Sequence, residues 1–508
     1  MAIPIDPISS PRIGFEVLTP DEVRRIHEAT LEVVETVGVR FPSERALDVW
    51  AAHGATVDRE TQVVKAPRDL VMEALSHAPA SYVLGARDPS QDLPLDGAHV
   101  YAATDGCGIE IVDIHTGELR RSTLQDVADI SRIADAMDEI GFIWTPLSAQ
   151  DMPPESRSLH ELRVQWANTT KHLQTETVVT VPEALAAVEM ATIVAGSEEV
   201  RRARPPLSIM QCTTSPLGHD GGSLDASMIA AEAGIPTGFM TMSSCAFSGP
   251  ATPAGTLVVG NAEVITGLAL MELVAPGAPV FYASATTAMD LRSGAYTGGG
   301  PEDFLFGAAT NALADFYRVP LSMGSFATGA KLPDWQAGVE NSLSTFMASI
   351  VTSDMLLGMG LLNGSRIWSY AQLMLDAEIY SIVRKTLKGI DVSDEALAID
   401  AIREVGPNGD FLALKHTRAH MRGLWQSRYM DRRMYGIWEK AEDRAPDWAL
   451  ARAREILRTH QPDPLDPAVA SARDGVVARV EREAAGAAAA GAGVSGSAAG
   501  AVAPGARS

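Results

Sequence analysis

The chain holds three cysteines, Cys107, Cys212 and Cys245, too few and too widely spaced for a disulfide framework or a zinc-type pair. Free thiols fit a reducing compartment, so a cytoplasmic protein is expected. Basic residues are also scarce: 41 Lys and Arg stand against 64 Asp and Glu, a net charge of −23. Such a balance argues against nucleic acid as a partner; it serves solubility, or steers cations toward the protein. No basic region followed by an apolar run opens the chain, so no signal peptide is expected. A membrane partner is not expected either. The most apolar helical stretch, 262–276, carries Glu263 and Glu272 and reads as a buried helix. Aromatic residues make up only 6% of the chain, so each one near a loop is a candidate to be weighed singly.

What the chain has is apolar bulk, 46% of 508 residues, ample for a large core. Thr19-Pro20-Asp21-Glu22 reads as a capping box with proline in the first turn. Val23, Ile26, Thr30, Val33 and Val37 then follow one helical face. Further helices are expected over 43–53 and 68–77, and a hairpin region over 100–122 turning at His115-Thr116-Gly117. From about residue 123, apolar strands alternate with helices. Strands are expected at 142–148, 173–179, 207–213, 237–242, 280–285, 321–326 and 355–362, one short of the eight of a (β/α)8 barrel. The reading is an α/β protein: an N-terminal helical cap and small hairpin region (1–122), a TIM-like barrel (123–400), a C-terminal helical extension (401–482) and an Ala/Gly tail (483–508) expected to be disordered. His416 and His420 stand four apart, but no third ligand is near, and no metal site is assigned. Arg422, Arg428, Arg432 and Arg433 form a basic run: a solvated face with carboxylate partners, or a docking patch or subunit contact. A homo-oligomer is expected.

Residues 320–343 carry the densest signal. A buried strand, a Gly- and Pro-punctuated loop and a helix follow one another, and in a parallel barrel such a loop opens onto the active-site face. Lys331, Asp334 and Gln336 lie on the loop or the first turn after it. Gly324, Gly329 and Lys331 do not make a phosphate loop: the spacing is one residue too long, and Leu332 stands where a magnesium-binding hydroxyl is needed. Asp113-Ile114-His115-Thr116-Gly117 is one residue short of the corrinoid-binding D-x-H-x-x-G pattern and reads as a hairpin turn. A corrinoid held stably by this chain is therefore not expected.

The run Ser325-Phe326-Ala327-Thr328-Gly329-Ala330-Lys331-Leu332-Pro333-Asp334-Trp335-Gln336-Ala337-Gly338-Val339-Glu340 resembles the trimethylamine–corrinoid methyltransferase family, whose type members read roughly G-S-(pyrrolysine)-S-D-A-K-x-P-D-x-Q-A-G-x-E. The resemblance extends through Asn168-Thr169-Thr170-Lys171-His172, Thr213-Thr214-Ser215-Pro216-Leu217 and Phe411-Leu412-Ala413-Leu414-Lys415, and spares only the tail. It implies a barrel that moves a methyl group from an amine to the cobalt of a separate corrinoid protein. Ala327 falls where the founding enzyme carries pyrrolysine, Thr328-Gly329 replaces Ser-Asp, and Ala371 replaces a glutamate.

In the founding enzyme, pyrrolysine is thought to make the amine nitrogen quaternary, and alanine cannot. A quaternary ammonium needs no such activation, because its leaving group is a neutral tertiary amine. The resemblance and this chemistry imply a quaternary, betaine-type substrate such as glycine betaine, and a cobalamin-type corrinoid as methyl acceptor. Aromatic faces and carboxylates hold such a cation. The candidates are Trp144, Tyr282 and Trp335 first, then Phe326, Tyr296 and Trp368, with core packing as the alternative for each. Asp105 and Glu263 are candidates for negative charge, and either needs a partner if buried. Arg366, Asn168, Lys331 and Gln336 are candidates for a substrate carboxylate. Lys331, Asp334, Gln336 and Glu263 are the expected catalytic set. Two alternatives stay open: the same fold with another methyl donor or acceptor, and a non-catalytic quaternary-amine binding protein.

Overall fold

The computed structural model describes residues 2–9, 14–106, 108–351 and 353–496, with side chains through residue 486. Eight parallel strands form its centre: β1 (His99–Thr104), β2 (Ile140–Trp144), β3 (His172–Thr175), β4 (Leu207–Cys212), β5 (Thr237–Thr241), β6 (Val280–Ser284), β7 (Leu321–Gly324) and β8 (Met355–Met359). They pair in chain order, and the ring closes where Met355 of β8 meets Tyr101 of β1. Strands such as β2 and β8 are buried along their whole length, which is why they read as continuous apolar runs. The helices are α1 (Leu124–Asp135), α2 (Arg157–Asn168), α3 (Val181–Ala195), α4 (Gly221–Ala233), α5 (Pro253–Val274), α6 (Pro301–Tyr317), α7 (Trp335–Ile350) and α8 (Tyr370–Leu387). Each of α1 to α7 connects successive strands, and α8 follows β8.

Seven strands stand where the sequence predicts them. The eighth is β1, which lies inside the segment read as a hairpin region. A true hairpin, Glu110–Val112 against Leu119–Arg121, sits between β1 and α1, so two β signals run together there. The barrel therefore begins before residue 123. At the hairpin tip, Asp113 Oδ1 accepts the backbone N–H groups of His115 and Thr116 at 2.9 Å each, a turn held by its own aspartate.

The core has two layers. Inside the ring, Tyr101, Phe142, Met210, Phe281 and Leu357 pack with Leu84, Leu93 and Leu95. Those leucines come from a hairpin (Tyr82–Leu84 with Leu93–Leu95) that plugs the N-terminal end of the barrel. His172 Nδ1 bonds Gly85 O at 2.8 Å beside this plug. Lys171 Nζ donates to the carbonyls of Ala134, Met137 and Ile140, closing the C-terminal end of α1. The motif Asn168–His172 is thus structural, at the end of the barrel away from the mouth.

Outside the ring, the helices form the second layer. The N-terminal helices Pro20–Thr36, Glu44–Ala52 and Arg68–Leu75 pack on α5. The first has the predicted capping box, with Thr19 N donating to Glu22 Oε2 at 2.8 Å. By length and composition α5 is apolar enough to cross a membrane, but it is largely buried in this layer. C-terminal helices Ala445–Thr459 and Pro467–Gly496 pack on α8 and α3 respectively. Of the tail expected to be disordered, 483–496 continue the last helix, as alanine's helix propensity favours, while 497–508 lie outside the described residues. In the basic run, Arg428 pairs with Glu139, and Arg433 with Asp431 and Asp443.

Two small sheets stand over the C-terminal end. One joins Leu361–Leu362 and Ile367–Ser369 to the Glu110–Arg121 hairpin, and the other joins Ser244–Cys245, Thr287–Asp290 and Ala295–Tyr296.

Candidate active site

A cavity of about 90 Å³ lies at the C-terminal mouth of the barrel, room for roughly half a dozen waters or one small organic cation. The last inward-facing positions of successive strands build its wall. Asp105 follows β1, Trp144 ends β2, Glu176 follows β3, Cys212 ends β4 and Gly324 ends β7. Tyr296, Ser365 and Ala327 come in from the loops above. Trp144 is 5% exposed, and its indole lies on Gly106, where a Cβ would stand 2.4 Å from the ring. Glycine at 106 is therefore what lets the aromatic face line the cavity.

The electrostatics are one-sided. Asp105 and Glu176 are 5% and 8% exposed, and no lysine, arginine or histidine lines the cavity among the described residues. Burial, then the Asp105 charge, pushes the Glu176 carboxyl up to about 8. Burial pushes Asp105 up to about 7, against opposing hydrogen bonds from Gly106 N (2.8 Å) and Ser365 Oγ (3.2 Å). Asn363, Gly364 and Ser365 all have positive φ, the tight turn that aims Ser365 at Asp105. Glu176 Oε2 receives the Cys212 thiol at 3.9 Å, whereas Oε1 has no hydrogen-bond partner. Trp144 Nε1 is likewise unpartnered. Buried carboxylates beside an aromatic face, without a resident cation, suit a ligand that brings the positive charge.

The 325–340 loop supplies the opposite wall. Phe326 has φ +52°, and this left-handed residue sends its ring into the outer core while Ala327 lines the cavity. Glu340 on α7 holds the loop: Oε2 accepts Gly329 N at 3.0 Å and the Thr328 hydroxyl, and Oε1 accepts Gln336 Nε2 at 3.0 Å. Asp334 caps α7 by accepting Gln336 N (2.9 Å) and Ala337 N (3.3 Å). Lys331 is exposed, and its ammonium donates to Gly329 O within its own loop. Ala327 and Tyr296 also face a second cavity of about 30 Å³ between α6 and α7.

Of the sequence candidates, the cavity brings together Asp105, Trp144 and Tyr296. The others lie elsewhere. Tyr282 points outward from β6, with its hydroxyl donating to Asn261 Oδ1 of α5 at 3.3 Å. Trp368 is buried edge-on against Tyr370, outside the cavity. Trp335, 81% exposed, begins α7 on the surface. Glu263 is fully satisfied by Thr213, Ser215, Thr241 and Leu217 N and locks α5 to the loop after β4. Arg366 pairs with Glu110 at 2.7 Å on the surface, and Asn168 Nδ2 donates to Val164 O at the far end of α2. His416 and His420 lie with ring centroids 4.3 Å apart and their planes tilted, and neither lines the cavity.

Glu176 was missed by sequence reasoning. It sits between two threonines with no motif around it. The available signal was alternation: with Gln174 in β3 facing inward, the residue two further on also faces inward at the strand's mouth end.

Comparison with known proteins fits this architecture. The family model described as trimethylamine methyltransferase (MTTB) matches residues 5–485. The chain is 36% identical over 475 residues to the trimethylamine methyltransferase MttB of Desulfitobacterium hafniense, covering 92% of this chain and 95% of that one. It is 32% identical over 472 residues to a glycine betaine methyltransferase from the same species, covering 92% and 98%. In structure it is similar to the monomethylamine methyltransferase MtmB of Methanosarcina barkeri, with a TM-score of 0.53 and 10% identity over 89% of each chain, a likeness of fold. The matched length and these identities together establish that the chain belongs to the trimethylamine methyltransferase (MTTB) family of methyltransferases.

Proposed function

We propose that this protein transfers a methyl group from a quaternary amine to the Co(I) of a corrinoid carried by a separate protein, in the cytoplasm. The observation that carries the reading is the mouth cavity: Trp144 and Tyr296 beside two buried carboxylates, with alanine at 327. The relatives' names supply the reaction class, since they act as trimethylamine and glycine betaine methyltransferases.

The chemistry follows from the substrate's charge. The ammonium head sits against Trp144 and Tyr296, with Asp105 and Glu176 offsetting its charge. One N-methyl faces the mouth. Cobalt's electron pair forms the Co–C bond, and the C–N pair stays on nitrogen, which leaves as a neutral tertiary amine. No proton or general base is needed for this step. The chain's contribution is to desolvate and orient the cation so that the displacement is in line. Met242, Phe247, Leu291, Leu332 and Trp335 are exposed on the βα loops around the mouth, an apolar rim suited to docking the corrinoid protein.

The test is conversion of free cob(I)alamin to methylcobalamin, followed by absorbance, with tetramethylammonium, choline, glycine betaine or carnitine as donor and trimethylamine as control. Methylation by at least one quaternary amine, and none by trimethylamine, is expected. A comparable rate with trimethylamine, or no methylation by any donor, would overturn the proposal.

A further inference from the structure

The reading above leaves the substrate subclass open between zwitterions, which carry a carboxylate, and net cations, which do not. The wall of the cavity bears on that choice. Asp105 and Glu176 are both more than nine-tenths buried and line the same space. Glu176 Oε1 and Trp144 Nε1, on two residues that line this space, are buried without a hydrogen-bond partner. The cationic sequence candidates for a substrate carboxylate are engaged elsewhere, Arg366 with Glu110 and Lys331 with the carbonyl of Gly329, and Gln336 donates to Glu340.

We propose that the site selects a net-cationic quaternary ammonium, such as tetramethylammonium or choline, over one with a carboxylate on the carbon next to nitrogen, and that Asp105 and Glu176 are the discriminating pair. This rests on the reading that the mouth cavity holds the substrate. A carboxylate one carbon from nitrogen enters wherever the nitrogen enters. In this cavity it becomes a third acid in a desolvated space whose described lining offers no base. Like charges at close range in low dielectric repel strongly, and the described lining carries no cation to offset a third carboxylate. A hydroxyl or a methyl at the same place brings no such penalty.

The experiment is calorimetric titration of the full-length protein with tetramethylammonium, choline and glycine betaine, repeated with Glu176→Gln and Asp105→Asn. Both variants keep side-chain shape, and thermal melts check their folding. The expected result is that the two net cations bind at least tenfold tighter than glycine betaine, and that either variant narrows the ratio to about threefold or less. If glycine betaine binds wild-type protein as tightly as choline, the inference fails while the quaternary-amine reading stands. If net cations are preferred but neither folded variant changes the ratio, the discrimination does not reside in this pair. If none of the three ligands binds, the cavity is not the substrate site, and reading and inference fall together.

Discussion

Asp105 and Glu176 flank Trp144 at the mouth ends of β1 and β3, and the charge of Asp105 raises the carboxyl of Glu176. With the cavity empty, this pair resists double ionisation. A bound cation removes the resistance. Under the proposed function the two carboxylates and the indole between them act together on the cation, and most of the expectations below come from that.

Trp144→Ala removes the aromatic face and leaves the carboxylates. Affinity for a quaternary ammonium is expected to fall by about 1–2 kcal/mol, with Trp144→Phe recovering part of the loss. Calorimetry measures it directly, and unchanged affinity in the alanine variant would take Trp144 out of the site.

Cation binding should release protons. Asp105 and Glu176 rest near 7 and 8, so below those values a ligand must displace protons to form its ion pairs. The other titratable groups facing them do not reverse this. Cys212 and Tyr296 are pushed up by burial and stay neutral, and Asp376, at about 7, is itself raised by burial and the Asp105 charge. Affinity is expected to rise between about pH 6 and 8.5, by up to roughly tenfold per unit for each proton released. Titrations in buffers of different ionisation enthalpy count the protons; a pH-independent affinity would refute this.

Stability without ligand should show the opposite trend. Glu176 has a folded value of about 8 against an ordinary 4.5, so between them the folded protein holds a proton that the unfolded chain releases. Stability conferred by the neutral form is lost as pH rises through that window. Glu176→Gln is expected to be about 2–4 kcal/mol more stable than wild type at pH 8.5 and close to it near pH 4.5. Denaturant melts at the two pH values decide it.

Glu340→Ala frees the loop that carries Ala327, by removing the acceptor of Gly329 N, the Thr328 hydroxyl and Gln336. A stability loss of about 1–3 kcal/mol is expected, together with weaker binding. Glu340→Gln should restore part of both.

Trp335→Ala should leave quaternary-amine binding unchanged, because the ring is on the surface and not in the cavity. Under the docking proposal, transfer to a protein-bound corrinoid slows several-fold, while transfer to free cob(I)alamin does not. A drop in both rates would place Trp335 in the chemistry instead.

The sequence showed the barrel well and the site partly, for physical reasons. Strands buried on both faces leave continuous apolar runs, and helix starts leave side-chain signatures such as Thr19 with Glu22, so seven strands and the first helices were legible. β1 was not, because a hairpin follows it before its helix. Asp105, Trp144 and Tyr296 come together at the mouth cavity because strand ends and following loops point there. Tyr282 and Trp335 lie outside that cavity: one residue of register in a strand turns a ring from the interior to the helix layer, and the first turn of α7 leaves its ring in solvent. Glu176 carries no motif; its role rests on a neighbour from another strand, which only the fold brings near.

The most direct test of the account is product stoichiometry in a single turnover. Protein, cob(I)alamin and tetramethylammonium are mixed, and trimethylamine and methylcobalamin are quantified by mass spectrometry and absorbance. One trimethylamine per methylcobalamin, strongly reduced in a folded Trp144→Ala, Glu176→Gln double variant, is the predicted result. Equal methylcobalamin formation when trimethylamine is the donor, or an undiminished yield in the double variant, would contradict it.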